Sequence, residues 1–125
     1  MGILDGLLGN ASEVNLEKLE KDLENILTDG EDVERAYVII RDSFVFTNKR
    51  LILIDKQGIT GKKIEYHSIP YKSITHFSIE TAGHFDMDAD LKIWISGAQM
   101  PIEKEFKGDK SIFNVQKALS YYILI

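Results

Sequence analysis

A chain of 125 residues with 44% hydrophobic and 28% charged residues is long enough for one domain with its own core, and that composition excludes a disordered polymer. It holds no cysteine, which excludes disulfides and thiolate metal sites and points to the cytoplasm. The net charge of −5 argues against generic attraction to nucleic acid or anionic membrane, the more so because residues 13 to 34 carry nine acids and two lysines.

Residues 2–10 place Ile3, Leu4, Leu7 and Leu8 on one face of a weak helical turn among glycines. Gly6 stands where a myristoylation signal needs Ser or Thr, and the start lacks the basic stretch of a secretion signal. No apolar run approaches the ~20 residues that cross a bilayer. From Asn15 the spacing of Leu16, Leu19, Leu23, Ile26 and Leu27 predicts a helix, capped by Asn15 and stopped by Gly30. Its other side is the acidic, solvated face.

The period then changes to that of strands. Val33 to Arg41 reads as the first, followed by a tight turn at Arg41-Asp42-Ser43. Phe44 to Asp55 reads as a hairpin with Asn48 and Lys49 as its two-residue loop, Asn48 tolerating left-handed backbone and Lys49 accepting positive φ. That register sets Phe46 opposite Leu51 and Phe44 opposite Leu53, with Val45, Ile52 and Ile54 on the reverse. Both faces are apolar, so both need cover.

Lys56 to Lys63 is the next connection. A fourth strand runs to about Ile69, where Pro70 ends the ladder because it has no backbone donor. Ile74 to Thr81 is the fifth strand, Gly83 to Asp88 a loop, and Leu91 to Ser96 the sixth. Gly97 turns the chain into the seventh, where Met100, Ile102 and Phe106 share a parity. Asp109 caps a last helix whose apolar positions are Ile112, Val115, Leu119, Tyr122 and Ile123. Seven short antiparallel strands leave sheet edges to be closed, and a partly open barrel capped by the last helix answers that need.

Several segments resemble the bacterial pleckstrin-homology (PH-like) domain family. They include Phe46-Thr-Asn-Lys-Arg-Leu51, Gly58-Ile-Thr-Gly-Lys-Lys63, Ile69-Pro-Tyr-Lys-Ser-Ile74, Glu80-Thr-Ala-Gly83 and Leu91-Lys-Ile-Trp-Ile-Ser-Gly97. The resemblance covers nearly the whole chain. It implies a mainly β fold, a seven-stranded PH-like barrel with a C-terminal helix, and non-catalytic modules that form homo-oligomeric rings. Residues 1–30 are then an N-terminal helical segment packing on the barrel or a neighbour. Residues 31–125 are the PH-like domain, and together they make one structural unit.

Chemistry is sparsely signalled. His67, His76 and His84 stand apart, and neither a Gly-x-Ser-x-Gly elbow nor a His-Glu-x-x-His pair is present. Gly58-Ile-Thr-Gly61 has two residues between its glycines where a phosphate loop has four. Asp86, Asp88 and Asp90 have the alternate spacing that begins a calcium loop, but Leu91 and Gly97 stand where that loop needs glycine and glutamate. An acidic strand entrance is the better reading. Arg41 is followed at once by Asp42, and Lys49, Arg50, Lys56, Lys62 and Lys63 occupy other turns, so phosphoinositide binding is not expected.

The expectation is therefore a protein without catalytic residues, cofactor or metal, whose partner is itself. The interface is expected at Tyr37, Ile39, Val45, Ile52 and Ile54 on the reverse of the hairpin sheet, and at Tyr121, Leu124 and Ile125 at the chain end. The resemblance adds a closed ring, with a pentamer as the expected number. Another protein partner is left open. A ligand-binding module for a peptide or lipid is the alternative, and a hydrolase the remote one.

Overall fold

The structure, a computed structural model, describes residues 15–39, 42–58, 62–81, 88–107 and 111–124. The helical turn expected at 2–10, Arg41, part of the glycine connection, the loop with His84 and Asp86, the Asp109 cap and Ile125 lie outside the described residues.

The described elements, in chain order, begin with α1 (Leu16–Asp22), β1 (Val33–Ile39), β2 (Asp42–Thr47), β3 (Arg50–Gln57) and β4 (Lys63–Pro70). A 3-10 turn (Tyr71–Ser73), β5 (Ile74–Thr81), β6 (Ala89–Ile95), β7 (Ile102–Phe106) and α2 (Ser111–Ile123) follow. The strands hydrogen-bond into two separate sheets, β1-β2-β3-β4 and β5-β6-β7, rather than into one closed ladder. The chain divides into two compact units, residues 1–69 and 70–125.

In the first unit, Asn15 caps α1 as its sequence position requires. Its Oδ1 accepts the Glu17 and Lys18 backbone N–H groups at 2.8 and 3.1 Å. The helix is shorter than its apolar stripe. It stops at Asp22, and the chain continues as a turn in which the Ile26 and Leu27 N–H groups donate to the Leu23 carbonyl at 2.8 and 2.9 Å. That turn still carries the stripe. Leu23, Val33, Val45, Ile52 and Ile54 form one buried cluster, with Leu16, Leu19, Ile26 and Leu27 packed against it. Gly30, at φ 77°, takes the left-handed conformation, but in the connection to β1 and not as the residue that ends the helix.

The hairpin register is as its loop length demands: Phe46 pairs with Leu51, Val45 with Ile52 and Phe44 with Leu53. The loop conformation differs from expectation. No described residue other than glycine has positive φ, so neither Asn48 nor Lys49 is left-handed. Thr47 closes the turn instead, its Oγ1 accepting the Lys49 and Arg50 N–H groups at 3.0 and 2.9 Å.

Strand β1 corrects a second expectation. Tyr37 pairs with Phe44 and Ile39 with Asp42, while Ala36 pairs with Val45. Partners across a sheet share a face, so Tyr37 and Ile39 lie with Phe44 and Phe46, not with Val45 and Ile52. The Tyr37 ring meets Phe46 edge-on, with centroids 5.8 Å apart. With Ile39 opposite Asp42, β1 is slipped by an odd number of residues from the pairing expected on β2. Such a slip exchanges the two faces of a strand.

In the second unit the alternation of β5 and β6 is as the sequence implies. Phe77, Ile93 and Ile102 form one cross-strand row, and Ile79 and Leu91 lie in the next on that face. Leu91, Ile93 and Phe106 are fully buried. Gly97, at φ 86°, makes the turn out of β6, with the Ala98 N–H donating to the Ile95 carbonyl at 3.1 Å. Met100, expected within the seventh strand, precedes β7 and is 73% exposed. Helix α2 buries Ile112, Val115, Ala118 and Leu119 and packs on β5 and the 3-10 turn, where Tyr122 stacks on Tyr71 at 4.6 Å.

Candidate functional site

The most organised polar constellation joins the segment after α1 to the hairpin turn. Both oxygens of Glu31 are filled. Its Oε2 accepts the Thr47 hydroxyl at 2.6 Å and Arg50 Nε at 2.8 Å, and its Oε1 accepts Arg50 Nη2 at 2.9 Å and the Thr28 N–H at 3.0 Å. Thr47 has one hydroxyl proton, and the short bond to a carboxylate claims it over the Arg50 carbonyl at 3.1 Å. Arg50 also donates from Nη2 to the Ile26 carbonyl at 2.6 Å and from Nη1 to Ser68 Oγ at 2.9 Å.

Asn48 completes the clasp. Its Oδ1 accepts the Asp32 N–H at 2.8 Å and its Nδ2 donates to the Gly30 carbonyl at 2.9 Å. Its own N–H donates to the Asp32 carbonyl at 3.1 Å. A carboxamide is needed here because it has both a donor and an acceptor, not because the backbone is left-handed.

Burial would raise the Glu31 pKa, but the hydrogen bonds from Arg50, Thr47 and the Thr28 N–H outweigh it and lower it from 4.5 to about 2. Burial raises the Tyr37 phenol to about 12. Shifted titratable groups often mark catalytic sites. These two do not, because a saturated carboxylate in an ion pair and a phenol 1% exposed are both closed to a substrate. The clasp is structural. It holds the α1 segment over the sheet, and Thr47-Asn48-Lys49-Arg50 is its turn.

Clasp and cover together bury part of the surface expected at the interface. Val45, Ile52 and Ile54 are buried by leucines of the same chain, and Tyr37 and Ile39 are buried on the opposite face. All five are buried in the single chain, and α1 with the turn after it supplies the cover that the reverse of the hairpin needs. Of the chain-end residues, Tyr121 and Leu124 are 67% and 62% exposed. Phe113, on the same helical face as Tyr121 by i, i+4, i+8 spacing, is 49% exposed and was not singled out from the sequence. Its signal was present: it falls outside the buried Ile112–Val115–Leu119 stripe.

Of the three aspartates expected to cluster, only Asp88 and Asp90 are among the described residues. Asp90 lies within β6, paired with Glu80 on one side and Glu105 on the other, and Asp88 precedes that strand. Three acids abreast across a sheet repel one another. Among the described residues, no group of three or more His, Asp or Glu is placed to hold a metal ion. His76 stacks on Trp94, with ring centroids 4.4 Å apart. At the register shift between Ile74 and His76, the Thr75 hydroxyl lies within hydrogen-bond distance of both the Trp94 carbonyl, at 3.2 Å, and His76 Nδ1, at 3.0 Å. His67 is exposed on β4. No described helix is long and apolar enough to cross a membrane.

Comparison with known proteins agrees with this architecture over the full length. The family model for the bacterial PH domain matches residues 2–123. The uncharacterized protein YjqA of Bacillus subtilis (strain 168) is 60% identical over 121 residues, which are 96% of this chain and 97% of YjqA. The crystal structure of a pleckstrin homology domain from Shewanella amazonensis SB2B superposes with a TM-score of 0.85 at 59% identity, over 98% of both chains. A protein with a pleckstrin-homology domain from Shewanella loihica PV-4 gives 0.75 at 58% identity, over 89% of this chain and 95% of the other. With two sheets of four and three strands, a C-terminal helix and a family match from end to end, the chain belongs to the bacterial PH domain family.

Proposed function

We propose that this bacterial PH domain is a non-catalytic interaction module that associates with further copies of itself into a closed ring and serves as a scaffold. The observation that carries this reading is the outer face of α2. There Phe113 and Tyr121 point to solvent, and Leu124 follows just beyond the helix, while Ile112, Val115 and Leu119 fill the inner face. Large apolar side chains exposed together on one helix mark an interaction surface. Contacts made head-to-tail must close into a ring or they polymerise, and each contact should bury ~1,200 Å² or more in total.

Catalysis has no part in this reading, since among the described residues the two groups with shifted pKa values are both locked in the fold. Headgroup binding has none either. Arg50, one of the basic residues at the turns, is committed to Glu31, Ile26 and Ser68. Light scattering at high micromolar protein should report a mass several times that of one chain. Tyr121→Lys combined with Leu124→Glu should shift it towards the monomer without unfolding the domain. A wild-type protein that stays monomeric at that concentration would overturn the proposal.

A further inference from the structure

No further inference is drawn: the strongest candidate, the exposed Ile64 and Tyr66 on the edge strand β4, carries nothing because nothing in the structure shows what covers that surface.

Discussion

Glu31→Gln is the most direct test of the clasp between the α1 segment and the hairpin. The carboxylate accepts four hydrogen bonds, two at each oxygen. A carboxamide has one oxygen and brings two donors of its own, so two of the four donors lose their acceptor and face N–H groups instead. The Arg50 guanidinium also loses its counter-charge beside a Glu31 side chain with no solvent exposure. Breaking one partner of such a pair costs about 3–5 kcal/mol. The pKa offers an independent figure: a carboxyl lowered from 4.5 to about 2 on folding contributes roughly 3 kcal/mol at neutral pH. The two figures agree.

The pH dependence follows from the direction of that shift. Because the folded pKa lies below the unfolded one, the contribution is complete above pH 4.5 and is lost as the pH falls from 4.5 towards 2. Urea unfolding of wild type and Glu31→Gln, at equal protomer concentration, should differ by about 3 kcal/mol at pH 7 and converge between pH 4.5 and 2. With ~5–15 kcal/mol of total stability for a domain of this kind, the variant should still fold. A difference under about 0.5 kcal/mol at pH 7, or one that does not change with pH, would refute the clasp.

Asn48→Asp keeps a residue that suits turns but replaces the Nδ2 donor by an oxygen facing the Gly30 carbonyl; denaturant melts should show a loss of about 1–2 kcal/mol, and no loss would mean the carboxamide is not required. Lys49→Gly should lower stability by a few tenths to about 1 kcal/mol through the entropy of the unfolded chain, because Lys49 does not hold positive φ; a gain would point to a left-handed loop. Leu119→Ala, at a fully buried position of α2, should cost about 2–5 kcal/mol and raise amide exchange along the helix, and unchanged exchange would show that α2 does not depend on its packing.

Much of this fold was legible along the chain. Period alone placed all seven described strands and both described helices, because side-chain alternation and helical spacing are local properties. The hairpin register was legible too, since a two-residue loop leaves Phe46 no partner but Leu51. The family followed from segments spread over nearly the whole length. The outward Tyr121 and Leu124 could be named because one helix face cannot bury every apolar residue at the chain end.

What the tertiary structure alone decided depends on pairing between distant segments. The side of β1 on which Tyr37 lies turns on where one short connection is centred, and a shift of about a residue exchanges the faces. The partnership of Glu31 with Arg50 joins residues 19 positions apart, and no local pattern marks one acid among nine as the buried one. The row Glu80–Asp90–Glu105 likewise exists only once three strands are in register. Above all, two apolar surfaces, the reverse of the hairpin and the α1 stripe, each sought a cover. Sequence offers the sheet of the same chain or a neighbour as the partner of that helical stripe but does not choose between them, because hydrophobic burial is non-directional. Only the folded chain shows that the two satisfy each other.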